Sequence, residues 1–213
     1  KKGEKLTTLD EVEHELSETN LLITDGKTPV ALAGVMGGLS TAVSDETTTV
    51  LVESAYFDPI TVRKSSKSLR LSTEASKRFE RGADPEATTN AFWGIVALIE
   101  KYADGEFQGE YLDLISNEFT RPVIRLRLSE VTQIIGLEVK PKKIVDILKG
   151  IGCEVSLLDD SELECIPASY RPDISREIDL IEEIARIYGY DNIPADNSLY
   201  GDMIVEDSDP QSY

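Results

Sequence analysis

Histidine, cysteine and long apolar runs are scarce in this sequence, and each shortage argues against a class of protein. The one histidine is His14, and the two cysteines, Cys153 and Cys165, form no CxxC pair, so a zinc site is not expected. Few cysteines and no signal peptide favour a reducing compartment, so we expect a cytoplasmic protein with two ordinary thiols. No apolar run approaches the roughly 20 residues that span a bilayer, so no membrane partner is expected.

Two further absences concern chemistry. The sequence contains neither GxxxxGK[ST] nor GxGxxG, so the usual phosphate-binding loops are missing. His14 has no catalytic motif around it, and both cysteines lie in the second half of the chain. A hydrolytic site would therefore have to position a water molecule, because no activated nucleophile is visible.

Basic residues are unevenly distributed in a chain whose formal net charge is −18. Between residues 63 and 81 there are seven basic residues and two acids, whereas from residue 154 onward there are 16 acids, three arginines and no lysine. The net charge argues against a free-standing nucleic-acid binder, because phosphates would be repelled. The asymmetry indicates that the two halves face different partners.

The segment 30–57, VALAGVMGGLSTAVSDETTTVLVESAYF, combines two apolar runs with a glycine turn. The runs at 30–35 and 50–55 predict two buried strands, and the glycines between 34 and 38 permit a tight turn after the first. Glu53 stands in the second run, where an unpaired buried charge would cost on the order of several kcal/mol. Three interpretations are open: an edge strand with Glu53 facing water, an acid paired with a base from 63–81, or an acid that binds a ligand hydroxyl.

Start and stop signals predict helices over 58–69, 72–82 and 84–105. The turn at 34–38 and the helix start at Ser72-Thr73 are both candidates to offer backbone N–H donors to an anion or a carbonyl. After Arg121-Pro122 the order becomes strand, helix, helix, hairpin and a last helix over 174–188, which is typical of a winged-helix-like module. We expect an α+β protein with a mixed-sheet α/β module at 1–120, the winged-helix-like module at 121–195 and an extended tail at 196–213.

The last helix combines an apolar stripe with several acids. The predicted stripe consists of Ile174, Ile178, Ile181, Ala185 and Tyr188. The acids on the opposite side, with one just before the helix, are Asp173, Asp179, Glu182 and Glu183. Their spacing allows them to converge on one hard cation, but helix starts also favour acids, and Arg186 can pair with Glu182 or Glu183. The same acids argue against DNA binding.

Four long motifs resemble the bacterial-type phenylalanyl-tRNA synthetase β subunit. They are ALAGVMGG at 31–38, ESAYFDP at 53–59, LRLSTEASKRFERGADPE at 69–86 and YRPDISREIDLIEEIARIYGYDNIP at 170–194. They occur in the family's order and span nearly the whole chain. The resemblance implies that 1–120 is most of an editing module, cut at its start, and that 121–195 is the winged-helix-like module that follows it.

The resemblance also implies roles for particular residues. In that family the editing pocket hydrolyses tyrosine wrongly attached to the phenylalanine tRNA, and its positions match Gly37, Glu53, Thr73 and Ala75. Glu53 would bind the tyrosine hydroxyl, the small Gly37 and Ala75 would leave room for the ring, and Thr73 would hold the substrate or the water. We further hypothesise that bases of the 63–81 stretch contact tRNA phosphates, namely Arg63, Lys64, Lys67 and Arg70.

The resemblance further implies features of the complete enzyme of which this chain would be a part, called the parent enzyme here, which joins phenylalanine to its tRNA with ATP. The ATP and phenylalanine sites would lie in an α subunit, in a heterotetramer of two α and two β chains. A magnesium ion shared with the α subunit would be held at positions matching Asp173, Asp179, Glu182 and Glu183, with weak or no binding in the absence of that partner. The alternative function is a non-catalytic interaction scaffold within the assembly.

Overall fold

Each half of the chain packs its own apolar side chains in the computed structural model, which describes residues 3–194. The N-terminal half contains five short strands in two antiparallel sheets. In the first, β1 (Lys5–Thr7) pairs with β2 (Glu13–Glu15). The second has the order β3 (Leu22–Thr24), β4 (Pro29–Leu32) and β5 (Met36–Gly37). Both sheets are small and antiparallel, whereas the sequence predicted mixed-sheet pairing for this half.

Three helices follow the strands: α1 (Pro59–Leu69), α2 (Glu74–Phe79) and α3 (Thr88–Tyr102). Asp58 caps α1 through a bond from the Thr61 amide to its Oδ2 at 2.8 Å, and proline occupies the first turn, as the sequence predicted. The core of this half lies between α1 and the strands and contains Leu6, Leu16, Leu32, Val35 and Val62.

The C-terminal half has the predicted winged-helix-like order. It consists of β6 (Ile124–Arg127), α4 (Leu128–Ile135), α5 (Pro141–Gly150), β7 (Glu154–Leu157), β8 (Glu162–Ile166) and α6 (Glu177–Tyr188). The sheet order is β6-β8-β7, antiparallel throughout, and the three helices pack with it around one core. Leu126, Leu148, Leu163 and Leu180 are each fully buried there. The α+β class and the winged-helix-like order are therefore confirmed.

The predicted strand at 50–55 is wrong. Residues 42–58 contain no regular element, and Leu51 is 99% exposed. The reason is that this apolar run has no hydrogen-bonded neighbour among the described residues, and a strand needs a partner to satisfy its backbone groups. The first run is shorter than expected, because β4 ends at Leu32 and a turn precedes β5.

The predicted apolar stripe of α6 is also only partly right. Ile174 and Ile181 are buried, but Ile178 is 44% exposed, and Leu180 and Ile184 are in the core instead. The buried side is wider than one stripe because α6 contacts α4, α5 and β6 together. Glu183, which was placed on the open side, is consequently buried.

Contacts between the halves within residues 3–194 include an ion-pair bridge and a close glycine–proline approach. Arg121 forms ion pairs with Glu86 at 3.4 Å and with Glu154 at 2.7 Å. Gly82, with φ of +96°, faces Pro172, whose Cγ would lie 2.8 Å from a Cβ at position 82. No helix among residues 3–194 is both long and apolar enough to cross a bilayer. The tail predicted at 196–213 lies outside the described residues.

Candidate functional site

Thr73 joins two of the segments that the sequence singled out. Its hydroxyl donates to the Val35 carbonyl at 2.7 Å and accepts from the Ser76 amide at 3.0 Å, and the Ser76 hydroxyl accepts from the Thr73 amide at 2.9 Å. This reciprocal capping box begins α2, so Thr73 is the cap and the helix starts after the predicted residue 72. The start of α2 is thereby held against the turn that follows β4.

In the turn that follows β4, the backbone at Gly34 lies close to neighbouring side chains. Gly34 has φ of +67°, and a Cβ there would lie 3.0 Å from Val62 and 3.1 Å from Phe57. Only glycine fits such a position without strain. The amides of Val35 and Gly38 donate to the Leu32 and Val30 carbonyls at 3.0 and 2.8 Å. These two amides, and that of Ser76, are therefore already engaged and do not serve as the free donors that the sequence predicted.

Gly37 lies in β5 beside Leu9. The Leu9 amide donates to the Gly37 carbonyl at 3.1 Å, and a Cβ at Gly37 would lie 3.2 Å from Leu9 Cδ1. The space next to Gly37 is thus bounded by a leucine side chain. Ala75 is exposed in the first turn of α2, next to Thr73.

Glu53 is exposed, in the irregular segment before α1, and it forms no hydrogen bond or ion pair with the residues that the structure describes. Protein atoms around the carboxyl nevertheless raise its pKa above the ordinary value by desolvation. The adjacent residues are anchored, because the Ser54 hydroxyl donates to the Thr88 carbonyl at 2.7 Å and Phe57 packs edge-on against Phe79 at 5.3 Å. Of the predicted pocket residues, the structure brings Thr73 to the glycine turn, and among the described residues Glu53 forms no hydrogen bond with either of them.

The outer face of α1 is basic. Its inner face is formed by Val62, Ser65 and Ser66, which are buried. Four basic residues on the outer face are exposed and form no ion pair with other described residues. They are Arg63, Lys64, Lys67 and Arg70. Four unpaired cations on one surface are available to an anionic partner.

The acids of α6 are paired with arginines. Asp173 accepts from Arg171 at 2.6 Å, and Asp179 accepts from Arg176 at 2.9 Å. Glu183 is held between Arg186 at 2.7 Å and Arg171 at 3.3 Å. In all three acids, the bond from the arginine is the largest cause that lowers the pKa of the carboxyl.

The two cysteines are buried free thiols in the second core. Burial raises the pKa of both, and that of Cys165 rises to about 12. A thiol that ionises so late is a poor nucleophile, in agreement with the expectation of ordinary thiols.

Comparison with known proteins matches both halves. Residues 1–104 match the B3/4 domain and residues 124–190 match the tRNA synthetase B5 domain. The phenylalanine–tRNA ligase β subunit of Protochlamydia amoebophila is 44% identical over 199 residues, covering 93% of this chain and 25% of that protein. The subunit of the same name from Carboxydothermus hydrogenoformans is 43% identical over 192 residues, covering 90% of this chain and 24% of that protein. The chain belongs to the phenylalanine–tRNA ligase β-subunit family.

The chain spans about a quarter of the length of these relatives. A solved structure, an N-terminal fragment of the phenylalanyl-tRNA synthetase β subunit from Pyrococcus horikoshii, is 13% identical with a TM-score of 0.42. The match covers 89% of this chain and 55% of the chain in that solved structure.

The magnesium ion expected for this family does not fit the side chains as they stand. Within residues 3–194 no group of three or more Asp, Glu, His or Cys side chains is arranged to hold a metal ion. Asp173, Asp179 and Glu183 each bind an arginine, and Glu182 stands alone. A cation would have to displace the guanidinium groups, so the four acids do not form a site in this arrangement.

Sequence reasoning missed the capping box and the partners Arg171 and Arg176, although it did offer Arg186 as a partner of Glu183. The capping box was detectable from Thr73 and Ser76, which are three residues apart. The pair of Arg176 with Asp179 was detectable from the same three-residue spacing. The bond from Thr73 to Val35 had no such signal, because the two residues are 38 positions apart.

Proposed function

We propose that this chain carries the editing pocket of a phenylalanine–tRNA ligase β subunit, which hydrolyses tyrosine wrongly attached to the phenylalanine tRNA. The observation that supports this most is the 2.7 Å hydrogen bond from Thr73 to the Val35 carbonyl. It places the family's STEAS helix start beside its glycine turn, inside the segment that matches the B3/4 domain. A pocket needs such distant segments side by side.

Glu53 selects the substrate in this proposal. A carboxylate that accepts a hydrogen bond from the tyrosine hydroxyl is left unpaired by phenylalanine, and sites of this kind discriminate by ~10⁴–10⁵. Two observations support the assignment: the desolvation that raises the Glu53 pKa, and the anchoring of its neighbour Ser54 to the start of α3. Gly37 and Ala75 leave space for the ring.

Hydrolysis proceeds by attack of water on the ester, because no activated nucleophilic side chain is visible among residues 3–194. A threonine hydroxyl has one proton and two lone pairs. The proton of Thr73 is given to Val35 and one lone pair accepts from Ser76, so one lone pair remains. A water that donates to this lone pair keeps its own lone pairs free for the ester carbonyl, and Thr73 thereby orients it.

The remaining features concern the parent enzyme. Arg63, Lys64, Lys67 and Arg70 contact phosphates near the aminoacylated end of the tRNA. The whole enzyme attaches phenylalanine to tRNA with ATP in the cytoplasm, as two α and two β chains, with the ATP site in the α subunit. In this chain, residues 1–120 form the editing module and 121–195 the module that follows it.

Replacing Glu53 in the complete ligase tests the proposal. We expect Glu53→Gln and Glu53→Ala to lose the preference for tyrosyl-tRNA over phenylalanyl-tRNA, measured as the two deacylation rates. Glu46→Gln is the matched control, because Glu46 is an exposed acid of the same irregular segment. If the Glu53 variants retain the wild-type preference, the chain is better described as a non-catalytic scaffold. The exposure of Glu53 is the observation that favours this alternative.

A further inference from the structure

Ser54, the residue directly after Glu53, ties the irregular segment to a helix. Its hydroxyl donates to the Thr88 carbonyl at 2.7 Å, across 34 positions of the chain. Among the described residues, this is the only hydrogen bond of the segment 48–57. Upstream, the nearest hydrogen bonds are those of the turn at 44–47. Ser54 is therefore a fixed point immediately beside Glu53.

The acceptor of this bond belongs to a firmly built helix start. Thr88 is the first residue of α3, and the turn before it begins with Asp84 and Pro85. Asp84 Oδ1 accepts from the Glu86 amide at 3.0 Å, and the Thr88 hydroxyl donates to the Pro85 carbonyl at 3.3 Å. A group held on a regular element is placed more precisely than one held on a loop. Ser54 thus connects Glu53 to a defined position.

Exposure alternates along residues 51–54. Leu51 and Glu53 are exposed, whereas Val52 and Ser54 are half-buried. Successive side chains of an extended chain point to opposite sides, and the alternation agrees with such a course. With Ser54 held against the start of α3, the carboxyl of Glu53 is turned towards the open side, from which a tRNA end can approach.

We propose that Ser54 is a positioning residue for Glu53, because its bond to α3 holds the carboxylate in the orientation that accepts the tyrosine hydroxyl. This inference rests on the proposed function, in which Glu53 selects the substrate. Hydrogen bonds weaken steeply when they are poorly aligned, so discrimination by a single bond depends on how the acceptor is oriented. Ser54 contacts neither the substrate nor the water and acts through Glu53.

A purely structural role of Ser54 would have a different signature. None of the described residues from 42 to 54 belongs to either hydrophobic core, so loss of the Ser54 bond leaves both cores intact. A hydroxyl that served folding alone would lower the deacylation rates of tyrosyl-tRNA and phenylalanyl-tRNA by the same factor. A hydroxyl that orients Glu53 lowers the first rate more than the second.

Variants of Ser54 in the complete ligase test this assignment. Ser54→Ala should lower the ratio of tyrosyl- to phenylalanyl-tRNA deacylation rates by about fivefold, because one hydrogen bond that orients Glu53 is lost. Ser54→Cys, whose thiol is a weak donor, should lower the ratio in the same direction, and Ser54→Thr should restore it because it keeps the hydroxyl. Ser116→Ala is the matched control, since Ser116 is exposed and forms no hydrogen bond with the described residues.

A double variant shows whether Ser54 acts through Glu53. In a Glu53→Gln background, Ser54→Ala should cause no further change in the ratio, because the group that it positions is already lost. Wild-type ratios in Ser54→Ala and Ser54→Cys, or an equal further loss in the Glu53→Gln background, would overturn this inference alone if Glu53→Gln itself loses the preference. A Glu53→Gln ligase with the wild-type preference would refute the proposed function, and this inference with it.

Discussion

Thr73 shows how one side chain shapes the candidate pocket. Its hydroxyl caps α2 and binds the turn carbonyl of Val35, so the same group serves folding and positions the pocket. Substitution of such a residue is expected to lower stability through the lost helix cap and to lower the hydrolysis rate through the displaced pocket. Conservative replacement separates these effects, because serine keeps the hydroxyl and alanine removes it.

We predict that Thr73→Ala lowers the free energy of unfolding by about 1 to 2 kcal/mol, because it removes a helix cap and a partly buried hydrogen bond. Thr73→Ser should stay near wild type in stability and in tyrosyl-tRNA hydrolysis. Urea denaturation and the deacylation assay measure the two quantities.

Thr48→Ala provides the control, because Thr48 is exposed and has no side-chain hydrogen bond with the described residues. A Thr73→Ala protein as stable as Thr48→Ala would contradict the capping argument.

At the scale of elements, α6 is held by ion pairs on its N-terminal half. Arg171, in the loop before the helix, binds both Asp173 and the buried Glu183. Glu177 accepts from the Arg127 side chain at 2.6 Å and from its backbone amide at 2.8 Å, which fixes the helix start to the end of β6. These bonds favour the ionised carboxylates in the folded state.

The pH dependence of stability follows from the same bonds. The pKa values of Asp173, Glu177, Asp179 and Glu183 are all lowered in the folded protein. A lowered folded-state pKa gives stability that is present above the unfolded pKa and is lost as the pH falls through the folded one. We therefore predict that the free energy of unfolding decreases as the pH falls below about 5. Urea titrations at a series of pH values measure the decrease.

Glu183→Gln should flatten this dependence, because glutamine does not titrate. Asp160→Asn, which alters an exposed acid without an ion pair among the described residues, should keep the wild-type slope. An unchanged slope in Glu183→Gln would remove Glu183 as a source of the effect.

Over the whole molecule, charge is segregated between the halves. Four unpaired bases share one face of α1 in the B3/4 half, and a group of acids lies on and around α6 in the B5 half. The proposed function gives the first surface a partner, the phosphates of the tRNA, whereas most acids of the second surface pair with arginines of the same half. In that proposal a chain of net charge −18 binds RNA through a local basic patch.

Neutralising part of this patch should change the salt dependence of tRNA binding. We predict that replacing Lys64, Lys67 and Arg70 with glutamine weakens binding to the complete ligase. The slope of log affinity against log salt should become shallower by about 0.7 to 0.9 for each phosphate that the variant no longer neutralises. Filter binding over a range of salt concentrations measures both effects.

The matched control replaces three exposed lysines around α5, Lys140, Lys142 and Lys149, with glutamine. It removes the same charge from the other half of the chain and should leave the slope unchanged. Equal slopes in the two triple variants would argue for a nonspecific charge effect.

The sequence by itself determined the elements whose signals are local. Asp58-Pro59 determined the start of α1, and Gly136 determined the end of α4. The spacing of apolar residues along the chain indicated α5 and the hairpin that follows it. Caps, prolines and periodicity act within a few residues, so they can be recognised along the chain. The family motifs likewise indicated the domain content before any coordinate was known.

Tertiary structure alone decided the features that depend on distant partners. The apolar run around Glu53 failed to form a strand because no neighbour among the described residues pairs with it, although its composition favoured one. Glu183 became buried because α6 packs against α4, α5 and β6 together, and Arg171 pairs with it from a preceding loop. Thr73 met Val35 across 38 residues. Such contacts depend on which elements pack together, and periodicity within one segment carries no information about its neighbours.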